Sequence, residues 1–312
     1  MTLPLVTVVI PIYNEQAVLP ELLSRLTKLF EGNTTVRWQV VMIDDGSRDG
    51  SAELIRSHAA CDSRFGLIEF SRNFGFQAAL AAGLAHAPGD AIVTIDADLQ
   101  DPPELIPKLV GIWQTGAEVL RAVRRSRRES GPRRVGMDVL PRLFGRISDF
   151  PIEANTGTFG LMSRRVVDAI NLLPERNRFF PGLRSWVGFK TGEVTYDRKE
   201  RAAGEPQQTM RKLARYALDG VFSFSYLPLR ALTYIGGIVS SVGFVLGCFF
   251  IARRLLGIEV AQIGFTTLVT LVLFLGGVQL IGIGILGEYL ARVYDEVKQR
   301  PPYLVKRTTG LG

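Results

Sequence analysis

The chain has few of the residues that bind metals or form disulfides, with two cysteines and two histidines among 312 residues. Cys61 lies in the polar part of the chain and Cys248 in an apolar stretch, so we expect no disulfide between them. Neither cysteine has metal-ligand spacing, and His58 and His86 are isolated. A disulfide scaffold, a cysteine-based metal site and histidine catalysis are therefore disfavoured.

Two common nucleotide-binding motifs are also missing. No G-x-G-x-x-G follows the first predicted strand and no G-x-x-x-x-G-K-[ST] occurs, which disfavours a typical dinucleotide-binding fold and a P-loop ATPase. The opening residues MTLPLVTVVIPIYNE lack the basic region of a signal peptide and pass directly into strand-like sequence. These residues predict that the first domain stays in the cytoplasm.

Charge is absent from two long stretches near the C-terminal end. Residues 231–252 and 260–287 contain no Asp, Glu, Lys or Arg, and a bilayer core requires roughly 20 consecutive apolar residues in a helix. We therefore predict two transmembrane helices, at about 231–252 and 264–287. Buried helices of a large globular core are the alternative interpretation.

The spans divide the chain into four predicted parts. These are a cytoplasmic catalytic domain at 1–205, an amphipathic juxtamembrane segment at 206–230, two transmembrane helices within 231–287 and a cytoplasmic tail at 288–312. Two spans leave both termini on the cytoplasmic side of the inner (plasma) membrane, and the basic tail favours that side. The net charge of +7 then favours an anionic membrane over nucleic acid as partner.

The first part of the chain alternates strand-like and helix-like patterns, which is typical of an α/β domain with a mostly parallel sheet. The clearest strands are at 5–13, 38–46, 66–72 and 90–98, and the helical segments lie near 17–30, 50–60, 75–87 and from 103 onward. Three strands end in the polar clusters YNE, DDGS and DAD. Because ligands bind beyond the carboxyl ends of such strands, we expect the clusters to form one site.

The acids after the fourth strand predict a metal site. In an extended strand Asp96 and Asp98 point to the same side, where two carboxylates about 6 Å apart repel by roughly 3 kcal/mol at an effective dielectric near 20. A divalent cation offsets this repulsion, and Gln100 adds a neutral oxygen. Asp101 and Glu104 flank two prolines and are interpreted as the start of a helix, with Asp101 as its N-cap.

Several motifs in this order resemble the family 2 glycosyltransferases, and more narrowly the polyprenyl-phosphate glycosyltransferases. The motifs are PIYNE (11–15), DDGS (44–47), SRNFG (71–75), DADLQDPPEL (96–105), RNRF (177–180) and SFSYLPLR (223–230). The resemblance extends from about residue 5 to the second predicted span. It implies a GT-A type nucleotide-sugar-binding fold.

The resemblance also implies roles for individual residues. The implied nucleotide-binding residues are Pro11, Tyr13, Glu15, Asp44, Asp96 and Ala97, with Asp44 at the base or ribose. A Mg²⁺ or Mn²⁺ ion that bridges the donor diphosphate is implied at Asp96, Asp98 and Gln100. The arginines implied to bind the diphosphate or the lipid phosphate are Arg124, Arg133, Arg134 and Arg201. Of these residues, Asp96, Asp98, Arg124 and Arg201 are the implied catalytic set.

Two segments depart from the pattern of that family. Thr158 stands where related proteins often have an acid, and Gly160 stands where they have a larger polar residue. Pro206 and Gln207 replace a serine and a lysine in the loop after Arg201. Since a lipid monophosphate is already anionic at pH 7, we interpret the missing acid as compatible with a reaction that needs no general base.

The expected function is the inverting, metal-dependent transfer of one hexose from a nucleotide sugar to polyprenyl (undecaprenyl) phosphate at the cytoplasmic membrane face. UDP-glucose is the favoured donor and GDP-mannose the alternative, and self-association is compatible with this arrangement. A processive polysaccharide synthase is a rival, although its Q-x-x-R-W motif is absent. A catalytically silent sugar-nucleotide-binding membrane scaffold is the rival from a different class.

Overall fold

A computed structural model describes residues 2–124, 156–176, 178–197, 227–257 and 264–311. These residues belong to two compact units, the first within Met1–Gly220 and Arg300–Gly312, the second within Val221–Gln299. The first unit therefore contains chain segments from both before and after the second unit.

Eight strands and eight α-helices are described. The strands are β1 (Leu5–Ile12), β2 (Arg37–Asp44), β3 (Phe65–Phe70), β4 (Ala91–Thr94), β5 (Val119–Arg124), β6 (Thr156–Ser163), β7 (Thr191–Tyr196) and β8 (Val305–Thr309). The helices are α1 (Leu19–Gly32), α2 (Ser51–Cys61), α3 (Phe76–His86), α4 (Ile106–Gln114), α5 (Arg164–Asn171), α6 (Phe180–Trp186), α7 (Leu227–Leu255) and α8 (Phe265–Lys298). A short 3-10 helix, Pro103–Leu105, precedes α4.

All eight strands form one sheet in the order β7-β5-β6-β4-β1-β2-β3-β8. Neighbouring strands are parallel at β1/β2, β2/β3, β1/β4 and β5/β7. They are antiparallel at β3/β8, β4/β6 and β5/β6. The predicted parallel sheet is confirmed for β1 to β4, while the antiparallel strands β6 and β8 were not predicted.

Helices cover both faces of the sheet. Ile10 and Met42 pack in an apolar cluster with residues of α1, α2 and α4. Val9 and Ile43, the sequence neighbours of Ile10 and Met42 on the opposite face, pack in a second cluster with residues of α3, α5 and α6. All four side chains are fully buried, and each such burial contributes about 1.5–3 kcal/mol. Burial on both faces explains why these strands read as almost continuous apolar runs.

Strand β4 is shorter than the sequence predicts, because it ends at Thr94 instead of continuing to residue 98. The prediction that Asp96 and Asp98 lie on an extended strand is therefore wrong, since both follow the strand in a turn. The turn allows the chain to leave the edge of the sheet and enter the 3-10 helix at Pro103.

The C-terminal part of the chain returns to the sheet. Strand β8 pairs antiparallel with β3, and the amide of Ser71 donates a hydrogen bond to the carbonyl of Leu304 at 3.0 Å. The ring of Tyr303 stacks on Phe70 with centroids 5.0 Å apart. The predicted tail thus includes strand β8. This strand was not predicted because its sequence is short and polar and has no periodic pattern of apolar residues.

Two long helices lie at the positions of the predicted spans. Helix α7 has 29 residues and α8 has 34. Within the described residues, one segment, Phe274–Lys298, has the length and hydropathy of a membrane-spanning helix. The span at about 231–252 remains a prediction.

Replacing Tyr303 by Ala is expected to loosen strand β8, because the stacked contact with Phe70 is lost. We expect the free energy of unfolding to fall by about 2–3 kcal/mol, less than the 3–5 kcal/mol usual for truncating a buried aromatic residue, because Tyr303 is only partly buried. Hydrogen exchange of the Phe65–Phe70 amides should become faster. The neighbouring Leu304→Ala variant, which alters a side chain 54% exposed, is the matched control and should leave exchange unchanged. Equal exchange in both variants would contradict this role for Tyr303.

Candidate active site

The carboxyl ends of the central strands bring the predicted polar clusters to one edge of the sheet. In the register of the sheet Ile12 lies opposite Asp44 and Val9 opposite Thr94. The amide of Asp45 donates to the carbonyl of Ile12 at 2.9 Å. The polar segments that follow β1, β2 and β4 therefore begin side by side, as the sequence predicts.

Hydrogen bonds join the loop after β1 to the loop after β2. The amide of Asn14 donates to Ser47 Oγ at 2.9 Å, and Asn14 Oδ1 accepts from the amide of Arg48 at 2.8 Å. The amide of Glu15 donates to Ser51 Oγ at 3.0 Å. Asn14 has φ of 55°, a left-handed conformation that Asn tolerates better than most residues. These bonds fix the backbone on which Tyr13 and Glu15 are presented.

The loop after β3 is joined to the same turn by a buried carboxylate. Asp45 Oδ1 accepts from the amide of Phe74 at 2.6 Å, and Oδ2 accepts from the amide of Gly75 at 2.9 Å. Gly46 has φ of +68°, and a Cβ there would lie 2.5 Å from the carbonyl carbon of Arg72. Only glycine fits this approach, so the DDGS and SRNFG motifs form one packed unit.

Burial shifts the pKa of two adjacent carboxylates at this edge. Asp44 and Asp45 are each 3% exposed. Burial raises the pKa of Asp44, although hydrogen bonds with Ser47 act in the opposite direction. Burial likewise raises the pKa of Asp45 above its usual value, against the effect of the two amide hydrogen bonds. The edge thus holds two carboxylates whose ionised forms are costly without a partner.

The predicted metal motif is a turn whose side chains alternate in exposure. Asp96, Asp98 and Gln100 are partly exposed, whereas Ala97 and Leu99 are 5% and 3% exposed. Asp98 Oδ1 accepts a hydrogen bond from the amide of Gln100 at 3.1 Å. Leu99 has φ of 58°, a conformation that costs energy for a residue other than glycine. The turn therefore keeps the three oxygen-bearing side chains accessible by burying the apolar residues between them.

Asp101 does not act as the predicted helix cap. The residue at the cap of the 3-10 helix is Pro102, without a side-chain capping hydrogen bond. Asp101 is 1% exposed and accepts a hydrogen bond from the hydroxyl of Tyr196 on β7. Glu104 instead pairs with Arg25 of α1 at 2.6 Å. Both acids anchor the end of the turn to other elements of the domain.

Contacts of strand β6 account for Thr158 and Gly160, the two residues on this strand that depart from the family pattern. The hydroxyl of Thr158 donates to Asp96 Oδ1 at 3.0 Å. A Cβ at Gly160 would lie 2.4 Å from the carbonyl oxygen of Leu120 and 3.2 Å from Arg184 Nη1. A larger residue at 160 would therefore clash with β5 and with a buried guanidinium. Neither contact could be read from the sequence, because both join residues far apart in the chain.

Arg184 is a residue near the site that the sequence interpretation missed. It lies on α6, is 4% exposed, and its Nη2 donates to the carbonyl of Gly157 at 3.1 Å. Its guanidinium also lies 5.5 Å from the centroid of the Phe180 ring. The only sequence signal was a single arginine within the otherwise apolar segment FPGLRSW.

Of the predicted phosphate-binding arginines, Arg124 ends β5, opposite Tyr196 of β7 in the register. Outside the described residues lie Arg133, Arg134, Arg201, Pro206 and Gln207, together with Asp149 and Glu153, the two acids that precede Thr158 most closely in the sequence. Their roles remain predictions.

The side chains of the turn fit a divalent cation of the Mg²⁺ or Mn²⁺ type. Asp96, Asp98 and Gln100 offer two carboxylates and one amide oxygen, and Mg²⁺ is usually held by one or two carboxylates together with substrate phosphates. Among the described residues, no group of three or more His, Cys, Asp and Glu side chains forms a metal site from protein ligands alone. The described donors therefore suit an ion shared with a phosphate ligand.

The parallel central strands, with polar loops at their carboxyl ends, form an α/β fold of the GT-A type. Residues 7–170 match the family described as Glycosyl transferase family 2. The chain belongs to this family and is a glycosyltransferase. A solved structure of mannosyl-3-phosphoglycerate synthase from Rubrobacter xylanophilus has the same fold, with a TM-score of 0.50, 20% identity and 75% of each chain covered.

Relatives in the family match over nearly the whole length. A prophage bactoprenol glucosyl transferase homolog of Escherichia coli is 44% identical over 97% of this chain and 98% of the relative. An undecaprenyl-phosphate 4-deoxy-4-formamido-L-arabinose transferase of Aeromonas hydrophila is 38% identical over 96% of this chain and 93% of the relative. The similarity therefore includes the long helices as well as the domain that carries the site.

The Asp44→Asn variant is expected to be more stable than the unaltered protein at pH 7. The raised pKa of Asp44 means that the folded state holds the proton more tightly, so stability falls as pH rises from about 3.9 through the folded pKa. Removing the charge should therefore raise the melting temperature at pH 7. The gain should disappear below pH 4.

Asp49→Asn is the matched control with the opposite sign. Burial acts to raise the pKa of Asp49, but hydrogen bonds from Ser51 and Gln16 outweigh it and lower the pKa. Its ionised form stabilises the fold above the unfolded pKa, so this variant should melt earlier at pH 7. A lower melting temperature for Asp44→Asn at pH 7 would contradict the effect assigned to burial.

Proposed function

We propose that this chain transfers a single hexose, with inversion, from a nucleotide sugar to polyprenyl (undecaprenyl) phosphate at the cytoplasmic face of the inner membrane. UDP-glucose is the proposed donor and Mg²⁺ or Mn²⁺ the proposed cofactor. The observation that carries the proposal is the edge where the accessible turn of Asp96, Asp98 and Gln100 adjoins the linked loops after β1 and β2. The names of the full-length relatives support the lipid phosphate acceptor.

The nucleotide would bind in the linked loops. Pro11, Tyr13 and Glu15 line this part of the proposed pocket, and Asp44 accepts hydrogen bonds from the base or ribose. A nucleotide donor to Asp44 would also offset the burial of that carboxylate, since a buried acceptor is stabilised by a hydrogen-bond partner. Ala97, buried beneath the metal turn, would let the nucleotide approach the backbone there.

The donor sugar is proposed from the pattern of relatives. The relatives at 44% identity are named glucosyl transferases, while a relative at 38% is named for a modified arabinose. Because the sugar differs between similar chains, the residues that select it vary within one fold. Glucose is favoured by the higher identity, and a GDP-mannose donor is the alternative.

The diphosphate would be held at the metal turn. Asp96, Asp98 and Gln100 would bind the Mg²⁺ or Mn²⁺ ion, which offsets the negative charge that develops on the departing nucleoside diphosphate. Arg124 and Arg201 are proposed to contact the same phosphates, and Arg133 or Arg134 the diphosphate or the lipid phosphate. Guanidinium groups suit this role because they pair with phosphate through two hydrogen bonds.

The proposed reaction is an in-line displacement. A phosphate oxygen of the lipid forms a bond to the anomeric carbon while the bond from that carbon to the diphosphate oxygen breaks, so the electron pair leaves with the nucleoside diphosphate. The attacking oxygen is already ionised at pH 7, and no proton has to be removed. Thr158, which replaces the acid of related proteins, is consistent with this proton balance.

The pairing of β8 with β3 supports two membrane crossings. Strand β3 precedes the long helices and β8 follows them, yet both lie in one sheet, so the chain between them crosses a bilayer an even number of times or not at all. If the segment Phe274–Lys298 crosses, a second segment must cross too. The charge-free stretch 231–252 of α7 is about 33 Å long at 1.5 Å per residue, enough for the roughly 30 Å hydrocarbon core.

The proposal predicts that membranes containing the protein transfer label from UDP-glucose to undecaprenyl phosphate in the presence of Mg²⁺. Label should appear in the organic phase after solvent extraction. Asp98→Asn should reduce transfer by about 100-fold or more, because it removes a metal ligand's charge while its amide oxygen can still accept the turn hydrogen bond from Gln100. Asp168→Asn, an exposed acid of α5, is the matched control and should retain activity.

Each other outcome selects a different function. Labelled polymer would favour a processive synthase, and nucleotide binding without any transfer would favour the silent scaffold. Transfer from GDP-mannose in place of UDP-glucose would show that the proposed donor is wrong and that the proposed acceptor is right. Full activity of Asp98→Asn would overturn the metal role of that residue.

The absence of a general base predicts a second result. Asp149→Asn and Glu153→Gln should each retain turnover within about tenfold, whereas loss of a general base commonly lowers the rate by 10²–10⁴-fold. Rates should be measured at saturating donor, lipid and metal, together with nucleotide binding. Complete loss of turnover in either variant, with metal and nucleotide still bound, would show that an acid acts as the base.

A further inference from the structure

Asp96 is held by a residue from the neighbouring antiparallel strand. Thr158 of β6 donates its hydroxyl hydrogen to Asp96 Oδ1, with the two oxygens 3.0 Å apart. The two residues are 62 positions apart in the chain and meet because β6 pairs with β4, where Thr94 lies opposite Gly160. The contact therefore depends on the sheet and not on the local sequence of the turn.

Thr158 is itself fixed in place. Its carbonyl accepts a hydrogen bond from the hydroxyl of Thr94 at 2.5 Å, and it lies on β6, two residues before Gly160, where pairing with β4 ends. A β-branched side chain in a strand has restricted χ1 rotation. The bond from Thr94 and this restriction together hold the Thr158 hydroxyl towards Asp96.

The chemistry of the contact differs from that of an acid at the same position. A carboxylate at 158 would place a second negative charge beside Asp96, and the two would repel each other or share a proton. A hydroxyl donates a hydrogen bond and leaves Asp96 ionised without repulsion. Groups that hydrogen-bond to a metal ligand fix its orientation and raise metal affinity, and their loss typically weakens binding or activity by 10–100-fold.

We propose that Thr158 is a positioning residue that orients the Asp96 carboxylate for the divalent cation and the donor diphosphate. This inference rests on the proposed function, since it assumes that Asp96 binds the metal–nucleotide complex. In this inference Thr158, which stands where related proteins often have an acid, acts in donor binding and not in proton transfer. Gly160 belongs to the same arrangement, because a larger side chain there would displace β6 from β5.

The test compares Thr158→Val with Thr158→Ser in the full-length protein. Valine keeps the shape of threonine but removes the hydrogen bond, whereas serine keeps the hydroxyl. Mn²⁺ binding would be measured by electron paramagnetic resonance with and without UDP, and transfer kinetics would be measured against Mn²⁺ and UDP-glucose. Thr308→Val, on the exposed side of β8, is a matched control outside the site.

We expect Thr158→Val to weaken Mn²⁺ binding in the presence of UDP by about tenfold and to raise KM for Mn²⁺ and for the donor. Its kcat at saturating metal should change less than KM. Thr158→Ser should remain within about threefold of the unaltered protein, because the hydrogen bond is restored. Thr308→Val should match the unaltered protein in every measurement.

Three results would overturn the inference. The first is Mn²⁺–UDP binding by Thr158→Val equal to that of the unaltered protein, and the second is a serine variant as weak as the valine variant. The third, absence of Mn²⁺–UDP binding by the unaltered protein, would overturn the proposed metal dependence as well, so the two failures are distinguishable. Melting temperatures identify a variant that does not fold, and Thr158→Ala then replaces valine in the comparison.

Discussion

The active-site edge depends on the buried carboxylate of Asp45. Its two oxygens accept hydrogen bonds from the amides of Phe74 and Gly75, at the end of the SRNFG motif that follows β3, while its own amide donates to the carbonyl of Ile12 at the end of β1. One residue therefore joins the segments at the carboxyl ends of three neighbouring parallel strands. The cost of burying that charge is partly offset by the amide hydrogen bonds, and the edge that results is the support on which the DDGS turn, with Asp44 as its first residue, is held.

The features that the sequence predicted well are those encoded by nearby residues. Strands β1 to β3, the helices that follow them and the convergence of three polar clusters arise from apolar runs and turn motifs a few residues apart. Strand β4 was predicted too long because Ile95, Ala97 and Leu99 continue the alternating pattern after the hydrogen bonding ends. The alternation was correct for exposure but not for backbone conformation, since Leu99 adopts a left-handed φ.

The features that the sequence did not predict are set by contacts between distant residues. Strand β6 enters the sheet antiparallel between β4 and β5, and only this arrangement brings Thr158 to Asp96 and Arg184 to Gly157. From the sequence alone, a threonine in place of an acid indicates only that a possible general base is missing. In the fold it is a hydrogen-bond donor to the proposed metal turn. Asp101 shows the reverse, because a local capping pattern was overridden by Tyr196, which lies on a strand far along the chain.

Because strand β8 is synthesised after all the other strands, the order of synthesis determines when the sheet can be completed. The residues of β1 to β7 leave the ribosome before the two long helices, but the edge of β3 is covered only after both helices have been made. Under the proposed topology of two crossings, a chain that inserted a single helix would carry β8 to the wrong side of the bilayer and leave the β3 edge open to pairing with other chains. In that topology, completion of the sheet couples the folding of the catalytic domain to the insertion of both helices.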